Sequence, residues 1–392
     1  MKRTDFFFDL PPELIAQRPS AVRGQDRLML LGRTSGIVAH HKMAELPGLV
    51  DDGTLMVFNN SRVRRARLFG VKETTGREVE FMFLSQAAFG EGSVWNTMVK
   101  NAKKQKAGMR YRFPDGSIGT ILDDPQNAGT EFRLLKFDFA ITEDWFEKNG
   151  HIPLPPYIKR EDEESDGERY QNVYADQTGS AACPTAGLHF TQEMLETLSK
   201  KGVERAFVTL HVGLGTFLPV REDQIEDHKM HQEIYTIEDE TARKINRAKK
   251  EGRPILAVGT TSVRTLENLY YMGLKLIANP NLAEDQLHVS QWEPYEEVRS
   301  DRVTSEESLR ALADWMDAHH LEVLHTSTQI IICPGYDYKI VRMLVTNFHQ
   351  PQSTLLLLVS AFVGGDWRKI YDYALAHDFR FLSYGDSSLL IP

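Results

Sequence analysis

The sequence predicts an α/β protein in two parts, a larger α/β domain with a mixed sheet and a smaller antiparallel β-barrel inserted into it. From about residue 180 onward, strand-like apolar runs alternate with amphipathic helical segments, as they do in α/β domains. Between residues 64 and 151, short β-prone segments follow one another with turns between them, which is typical of a small antiparallel barrel. We therefore expect a discontinuous α/β domain of residues 1–63 and 152–392 and a barrel domain of residues 64–151.

The elements of the first half follow from local patterns. Residues 55–58 are apolar and lie between Gly53 and a pair of asparagines, which predicts a buried strand. The expected barrel strands are REVEFMFLS, SVWNTMVKN, MRYRFPDGSIGTIL and TEFRLLKFDF. Within the third of these, FPDGS has the Asp-Gly pair of a hairpin turn. HIPLPPYIKR, from His151, has too many prolines for a helix or an inner strand, so we expect it to lead back from the barrel.

The second half contains both helical and extended patterns. TQEMLETLSKKG predicts a helix that Thr191 caps and Gly202 ends, and EDETARKINRAKKEG predicts a second helix ending at Gly252. RPILAVGTTSVRTLENL is typical of a strand, a turn and a helix. ERAFVTLHVG, IIICPGY and RMLVTNFH predict strands, and the apolar STLLLLVSAFVG predicts a buried helix.

Composition is ordinary for a globular protein, with 41% hydrophobic and 26% charged residues over 392 positions. No run approaches the roughly 18 apolar residues of a membrane span, so we expect no membrane partner. Asp5 and Asp9 flank the apolar FFF near the N-terminus, which argues against a secretory signal. The two cysteines, Cys183 and Cys333, form no disulfide framework, and we expect a cytoplasmic protein.

Charge is distributed unevenly along the chain. The whole chain has a net charge of -9, but residues 62–112 contain 12 Lys and Arg and 4 Glu, a net charge of +8. Residues 161–168 are the opposite, with six acidic side chains in eight positions. A charge run is often only a solvated face, yet a basic patch within an acidic protein is also what contact with a phosphate backbone requires. The tract is therefore a candidate nucleic-acid surface.

Polar and small residues collect where the predicted strands end, at residues 59–62, 211–213, 259–261 and 346–349. Ligands of open α/β sheets bind at the carboxyl ends of strands, so these ends predict one polar pocket. Two segments, GSAACPTAGLHFT and TLHVGLGTFLPV, have unusually little side-chain bulk. Either they form tight turns, or they let a ligand approach the main chain closely.

Other chemistries have weaker support. His228, His231 and Glu233 in DHKMHQE have a spacing that a helical metal site could use, but HExxH and CxxC patterns are both missing, and we expect no metal. Cys183 is more typical of packing than of nucleophilic catalysis. No GxGxxG or Walker sequence is present. The alternatives left open are a metal-dependent hydrolase and a non-catalytic RNA-binding protein.

The motifs together resemble the S-adenosylmethionine:tRNA ribosyltransferase-isomerase family of queuosine biosynthesis. The resemblance covers residues 8–386 and is weakest over 270–328, a region that we expect to be longer than is usual in the family. The motifs that carry it are FDLPPELIAQRP, NNSRVRRARLFG, LPPYIKR, RYQNVYA, PTAGLHFT, TLHVGLGTFLPV, HKMHQE, AVGTTSVRTLE, TNFHQPQSTLLLLVSAF and FRFLSYGDS.

The resemblance implies a bacterial cytoplasmic enzyme, for which we expect a monomer, with an inserted β-barrel. Such an enzyme transfers and isomerises the ribosyl group of S-adenosylmethionine onto 7-aminomethyl-7-deazaguanine at the wobble position of tRNAs with GUN anticodons. Epoxyqueuosine forms, and adenine and methionine leave. S-adenosylmethionine is a co-substrate, and no further cofactor and no metal are expected.

Functional residues are assigned on the motifs that carry the resemblance. The sulfonium acidifies the C5′ hydrogens of the donor, so a base that titrates near neutral pH is required, and His189 and His211 are the candidates. Asp386 or a histidine would assist the departure of adenine. The expected substrate-binding residues are Asn59, Arg62, Thr185, Gly187, Gly213, Gly215, Thr216, Asn347 and His349, the last also a reserve base. The expected tRNA-binding residues are Arg64, Arg65, Lys103, Lys104 and Lys106.

The sequence departs from the usual family pattern at seven positions. We do not assume a base or ribose contact at Asn60, where the family's acid is missing, but no whole motif is lost and we expect activity. The residues that differ from the common family residue are Asn60, Ser61, Arg65, Cys183, Gln329, Gln350 and Ser387.

Overall fold

Strands of the chain form a mixed sheet, a closed barrel and a short two-stranded ladder in the computed structural model, which describes residues 1–36, 38–127, 129–213, 219–296 and 302–392. The strands are β1 (Arg27–Gly32), β2 (Val38–Lys42), β3 (Leu55–Asn59), β4 (Ser61–Val63), β5 (Arg67–Lys72), β6 (Glu78–Gln86), β7 (Val94–Val99), β8 (Arg110–Arg112), β9 (Ile118–Ile121), β10 (Phe132–Lys136), β11 (Gln177–Ser180), β12 (Glu204–Leu210), β13 (Glu233–Glu238), β14 (Ile255–Val258), β15 (Val323–Thr328), β16 (Met343–Asn347) and β17 (Ser387–Ile391). The helices are α1 (Leu46–Leu49), α2 (Glu143–Asn149), α3 (Asp166–Arg169), α4 (Gln192–Lys200), α5 (Asp239–Lys250), α6 (Thr260–Ala278), α7 (Ser305–Ala318), α8 (Thr354–Phe362) and α9 (Trp367–Ala376).

The mixed sheet has the order β15-β13-β12-β3-β14-β16-β17-β1-β2 among the described residues. Its four central strands, β12, β3, β14 and β16, are parallel neighbours. β17 then pairs antiparallel with β16, and β1 pairs parallel with β17. Every residue of β3, β14 and β16 is buried, as expected for strands covered on both faces. The predicted α/β class with a mixed sheet is confirmed.

The barrel is antiparallel throughout and closes through the pairing of β9 with β10. Its order is β10-β7-β6-β5-β8-β9. Aromatic side chains fill the interior, including Phe81, Phe83 and Tyr111, and α2 adds Trp145 and Phe146 to the same cluster. The inserted barrel predicted from the short strands is therefore confirmed, and we propose residues 64–151 as its domain limits.

The predicted helix ends show why local signals were informative. The Oγ1 atom of Thr191 accepts a hydrogen bond from the main-chain N of Met194 at 3.2 Å, which caps α4. After α4 and α5 the chain turns through Gly202 and Gly252, whose φ angles are +91° and +69°. Both helices end where the sequence predicted. Among the described residues, no helix is long and apolar enough to cross a membrane.

The strand predicted at IIICPGY is wrong. Residues 330–333 are buried but irregular, because their main chain is satisfied by other partners than a neighbouring strand. The hydroxyl of Tyr295 donates to the carbonyl of Ile331 at 3.1 Å and accepts from the main-chain N of Cys333 at 2.9 Å. An apolar run of this length indicates burial, and it does not by itself indicate a strand.

Candidate active site

Side chains from several strands meet at one edge of the mixed sheet. The carboxyl ends of β12, β3, β14 and β16 lie there, because these four strands are parallel neighbours. β17 and β1 run the opposite way relative to β16, so their amino ends lie at the same edge. Asn347, the last residue of β16, is paired with Ser387, the first residue of β17. Asp26 and Asp386, which directly precede β1 and β17, are thereby brought to the edge that the sequence predicted as the pocket.

Two small adjoining cavities open at this edge, each with a volume of about 30 Å³. Each has room for about one water molecule, so a larger ligand could enter only if the surrounding side chains moved. Thr185, Asn347, His349 and Leu355 line both cavities. Most of the remaining lining residues are polar or small. They are Tyr157, Gln350, Ser353, Leu382 and Ser383 in the first cavity, and Cys183, Pro184, Ala186, Val212, Gly259, Thr260, Thr261 and Thr346 in the second.

His189 connects the cavity wall to a buried carboxylate. Its Nδ1 lies 2.9 Å from Oδ2 of Asp26, and its Nε2 lies 2.9 Å from Nδ2 of Asn347. The same Nδ2 also donates to the carbonyl of Leu382 at 3.1 Å, which fixes the orientation of the amide. Since Nε2 of His189 faces a donor, the proton lies on Nδ1 and is donated to Asp26. Oδ1 of Asn347 is left facing Thr185, whose Oγ1 donates to it at 3.4 Å.

Arginines support the carboxylates behind this wall. Burial acts to raise the pKa of the Asp26 carboxyl, but hydrogen bonds from His189 and Ser20 and the charges of His189 and Arg380 outweigh it, and the pKa is lowered. Nη2 of Arg380 contacts Oδ1 of Asp26 at 2.9 Å. The main-chain N of Arg380 donates to Oδ2 of Asp386 at 2.7 Å. Asp386 therefore belongs to the support of the Asp26 carboxylate.

Asp386, assigned from the sequence to adenine departure, does not line either cavity in the described structure. It is 1% exposed, and the main-chain N and guanidinium Nε of Arg27 donate to its two oxygens at 2.9 and 3.2 Å. Both oxygens of the Asp386 carboxylate thus accept hydrogen bonds from the protein itself. The structure thus separates Asp386 from Asn347, Thr185 and His349, which it brings together.

His349 is buried in the wall that the two cavities share. Its Nε2 lies 2.9 Å from Oγ1 of Thr346, and its main-chain N donates to the hydroxyl of Tyr371 at 3.0 Å. Burial lowers the pKa of His349 to about 3. The imidazole is therefore neutral across the physiological pH range.

His211 follows the last residue of β12, and its ring packs against Gly179. A Cβ atom at Gly179 would lie 3.0 Å from Cε1 of the ring, and the φ angle of this glycine is +147°. Nδ1 of His211 is buried and has no hydrogen-bond partner among the described residues. Burial, and to a lesser extent the charge of Arg64, lowers the pKa of His211. His211 is thus a neutral imidazole whose Nδ1 is buried without a partner among the described residues, and its ring lines neither cavity, although its neighbour Val212 lines the second.

The small residues of the two motifs serve different purposes. A Cβ at Gly187 would overlap with the hydroxyl of Tyr174 and lie 2.6 Å from Nδ2 of Asn172, so this glycine is required by packing. At Gly213 a Cβ would meet no described atom within 4 Å. Gly215 and Thr216 lie outside the described residues. Packing therefore accounts for part of the missing bulk, and a ligand remains an explanation only at the open positions.

Asn59 and Arg62 differ in their surroundings. Asn59 is fully buried and ties β3 to β12, since its Nδ2 donates to the carbonyl of Leu210 at 2.9 Å and its Oδ1 accepts from the main-chain N of Leu210 at 3.1 Å. Arg62 is exposed to solvent. Asn60 accepts from Oγ1 of Thr209 at 2.6 Å, so the departure from the family's acid is accommodated within the protein.

The residues considered for metal or thiol chemistry lie elsewhere or are packed. His228 pairs with Glu222 at 2.9 Å, and His231 is exposed. In the part of the chain that the structure describes, no group of three or more His, Cys, Asp or Glu could hold a metal ion. Cys183 is buried, and burial raises the pKa of its thiol far above its usual range. Its environment is that of a packing residue.

The basic tract divides into paired and unpaired cations. Arg64 is bonded to Glu143 at 3.0 Å and Arg65 to Glu147 at 3.1 Å, both glutamates on α2. The two glutamates of α2 thus neutralise part of the positive charge counted over residues 62–112. Lys103, Lys104 and Lys106, by contrast, are exposed and form no ion pair within the described residues.

The lysine loop, residues 102–106, is held in place by a contact within the barrel. The guanidinium of Arg133 donates to the carbonyls of Ala102 and Gln105 at 2.6 and 2.8 Å, which fixes the lysine loop against the start of β10. Two residues before Arg133, Glu131 lines a third cleft together with residues of the α/β domain. Arg133, which holds the lysine loop, therefore lies two residues from a segment that borders the α/β domain.

Sequence reasoning missed Asp26 and Arg380. Asp26 directly precedes β1, and Arg380 lies in the segment that leads into β17. Both strands run antiparallel to the central four, whereas the prediction considered only the carboxyl ends of strands. The sequence did contain a signal. Asp26 stands just before the apolar run of GQDRLML, and Arg380 stands within the motif DFRFLSYGD. What the sequence could not show was the direction of β1 and β17 in the sheet.

The chain is similar throughout its length to known proteins. A family model described as queuosine biosynthesis protein matches residues 3–390. A protein of Treponema denticola named S-adenosylmethionine:tRNA ribosyltransferase-isomerase is 44% identical over 392 residues, which is 100% of both chains. A protein of the same name from Staphylococcus saprophyticus is 39% identical and covers 98% of both chains. A solved structure of S-adenosylmethionine tRNA ribosyltransferase from Thermotoga maritima is 30% identical, covers 99% of this chain and 100% of its own, and has a TM-score of 0.49.

These matches also correct one expectation. Residues 270–328 were expected to be longer than in the family, but the Treponema denticola protein aligns over the full 392 residues of both chains. The region is thus shared with at least this relative. Since the family model and relatives at 39–44% identity extend over nearly all of its residues, the chain belongs to the queuosine biosynthesis protein family.

Proposed function

We propose that the protein is a cytoplasmic, monomeric S-adenosylmethionine:tRNA ribosyltransferase-isomerase. It transfers and isomerises the ribosyl moiety of S-adenosylmethionine onto 7-aminomethyl-7-deazaguanine at the wobble position of GUN tRNAs, with release of adenine and methionine. The names of the relatives support this reaction, and they match the chain from end to end. The observation that carries the proposal in the structure is the pair of adjoining cavities at the sheet edge, lined by the family motif residues Thr185, Asn347 and His349.

His211 is the proposed base for the C5′ proton of the donor. Its lowered pKa supports this role, because the imidazole is neutral at physiological pH and can accept a proton. Its buried Nδ1 has no partner among the described residues, whereas both ring nitrogens of His189 are engaged. Nε2 of His349 is hydrogen-bonded to Thr346, so His349 is proposed only as the alternative base.

His189 is proposed as a positioning residue. By accepting from Asn347, it holds the amide with its oxygen toward Thr185 and the cavities. Asp26 fixes the tautomer of His189, and Arg380 with Asp386 fixes Asp26. The wall that the donor contacts is thereby ordered before the donor binds, which is favourable because groups held in place need no reorganisation during the reaction.

The acceptor tRNA is proposed to lie across the barrel and the mouth of the pocket. Lys103, Lys104 and Lys106 supply exposed positive charge for its phosphates. The wobble nucleotide must leave the stacked anticodon loop for its aminomethyl group to reach the donor, as enzymes that modify bases commonly require. Gly213, Gly215 and Thr216 remain proposed donor-site residues on the strength of the family motifs, whereas packing against Tyr174 and Asn172 accounts for Gly187.

A turnover experiment tests the function. The purified protein is mixed with S-adenosylmethionine and tRNA that carries the aminomethyl-deazaguanine base, and free adenine and the modified nucleoside are followed by mass spectrometry. We expect adenine and epoxyqueuosine to form together, and His211→Ala to abolish both. Tight tRNA binding without turnover would instead indicate a binding protein. Activity that a chelator abolishes, with metal in the purified protein, would indicate a hydrolase.

A further inference from the structure

A third cleft, of about 420 Å³, adjoins the two cavities of the candidate active site. Leu355 lines all three, so the cleft continues the donor pocket along α8. Its wall includes residues of the HKMHQE motif, which the proposed reaction has not yet used, and Arg264 of AVGTTSVRTLE, a motif whose residues 259–261 line the second cavity. The cleft is therefore a place where part of a substrate could extend beyond the cavities.

Arg264 is the most unusual side chain of this cleft, since it is a buried cation with an unused donor. It is 6% exposed and is paired with Glu233, which is equally buried. Its Nε donates to the carbonyl of Ile330 at 3.2 Å. Its Nη2 is buried and has no hydrogen-bond partner among the described residues. A guanidinium donor left unpaired in the interior costs free energy, which a bound acceptor would recover.

The position of Arg264 relates the cleft to the donor cavity. Thr260 and Thr261, in the first turn of α6, line the second cavity, and Arg264 lies one helical turn further along the same helix. One turn rises about 5.4 Å, so a single small ligand can contact both turns. A molecule whose reacting part lies among Thr185, Asn347 and His349 can thus place its far end at Arg264.

The charges of the cleft indicate which chemistry that end has. The lining holds three Lys or Arg side chains and four carboxylates, together with an apolar floor that includes Ile331, Ile332 and Leu358. A mixed lining of this kind does not suit the polyanionic phosphate backbone of a nucleic acid. It suits a small zwitterion on an apolar chain, with its carboxylate on the guanidinium, which is the geometry that arginine favours.

We propose that Nη2 of Arg264 binds the α-carboxylate at the methionyl end of S-adenosylmethionine; this assignment rests on the proposed function. The ribosyl and adenine parts then enter at the two small cavities, which widen to admit them, and the aliphatic chain of the methionyl end lies along Leu355. Glu233 holds the guanidinium in place through Nη1. Arg264 is a binding residue, and it also fixes how far the C5′ atom reaches into the cavities.

The test compares two donors on the intact protein by isothermal titration calorimetry: S-adenosylmethionine and its decarboxylated analogue, which lacks only the carboxylate. We expect the wild type to bind S-adenosylmethionine about 10- to 100-fold more tightly, the effect of one buried charge-assisted hydrogen bond. Arg264→Gln should bring both donors to the same affinity by weakening S-adenosylmethionine alone. Arg264→Lys, which retains the charge beside Glu233 but lacks Nη2, should also reduce the discrimination and guards against misfolding of the Gln variant.

The matched control is Arg310→Gln, an exposed arginine of α7 that lines none of the three cavities, which should keep the full discrimination. Equal affinity of the wild type for the two donors would overturn the assignment, and so would full discrimination by folded Arg264→Gln. In either case, release of adenine and epoxyqueuosine by the wild type would leave the proposed function standing. Failure to bind or turn over S-adenosylmethionine at all would overturn both proposals.

Discussion

At the scale of single residues, His189 shows how a motif residue depends on distant partners. The sequence identified the histidine but not its role, because Asp26 lies 163 positions away and Asn347 lies 158 positions away. With a carboxylate on one nitrogen and an amide donor on the other, the ring has a single tautomer. The consequence is an ordered Asn347 on the cavity wall rather than a free base.

Asp26→Asn tests this arrangement. An asparagine would donate its amide to Nδ1 of His189 and move the ring proton to Nε2, where it would face the amide N–H of Asn347. We expect kcat to fall about 10- to 100-fold, the effect of one lost hydrogen bond to a charged group, while the affinity for S-adenosylmethionine changes little. Steady-state kinetics of adenine release and direct titration with the donor measure the two quantities.

The control for Asp26→Asn is Asp52→Asn, at an exposed carboxylate, which should leave both quantities unchanged. Asp26→Glu, which keeps the carboxylate, should recover part of the activity. If Asp26→Asn keeps wild-type kcat while folded, the wall residues are ordered without the Asp26–His189 pair, and the positioning role is wrong. A merely structural role would lower stability without separating kcat from donor affinity.

At the scale of elements, local signals in the sequence were enough where one residue type determines one geometry. The helix α4 begins after Thr191 and ends before Gly202, as predicted, because capping and left-handed turns are local properties. The strand ends near His211 and Asn347 were also correctly placed, although an apolar run alone was not a sufficient signal, since the similar run at residues 330–333 is not a strand. By contrast, the direction of β1 and β17 depends on pairing between distant segments, so Asp26 and Arg380 could not be assigned from the sequence.

The crossing of α6 and α7 supports the helix that carries Arg264, and it depends on one glycine. A Cβ at Gly273 would overlap with the carbonyl oxygen of Ser308, which is fully buried. We expect Gly273→Ala to lower the free energy of unfolding by about 1–3 kcal/mol, since the helices must separate to admit the methyl group. Chemical denaturation followed by circular dichroism measures this difference.

Gly48→Ala in α1 is the matched control for Gly273→Ala. A Cβ at Gly48 would meet no described atom within 4 Å, so this change should leave stability equal or raise it by up to about 1 kcal/mol. A Gly273→Ala variant as stable as the wild type would show that α6 and α7 can separate without cost. In that case the close crossing would not be what holds Arg264 in place.

At the scale of the whole molecule, the surfaces proposed to bind the two substrates, the tRNA and S-adenosylmethionine, differ in charge. The chain has a net charge of -9, yet three exposed lysines, Lys103, Lys104 and Lys106, lie on a barrel loop that packs against Arg133. The proposed site of the small donor, by contrast, lies at separate cavities in the α/β domain. A protein organised in this way can lose affinity for one substrate and keep its affinity for the other.

Replacing Lys103, Lys104 and Lys106 together by alanine tests this separation. Each lysine that neutralises a phosphate contributes up to about one unit to the slope of log K against log salt concentration, so the slope should become shallower by about 2 to 3. Affinity for the tRNA should fall at low salt, whereas affinity for S-adenosylmethionine should stay unchanged. Filter binding over a range of salt concentrations and titration with the donor measure the two affinities.

The matched control replaces three exposed lysines of the α/β domain, Lys200, Lys250 and Lys369, and so makes the same change in net charge. It should shift tRNA affinity much less than the barrel triple and leave the salt slope nearly unaltered, because long-range attraction is screened beyond about 10 Å at 0.1 M salt. Equal losses in the two triples would mean that the tRNA responds to overall charge alone. The lysine loop would then have no special place in tRNA binding, and the exposed Arg62 at the sheet edge would be the next position to test.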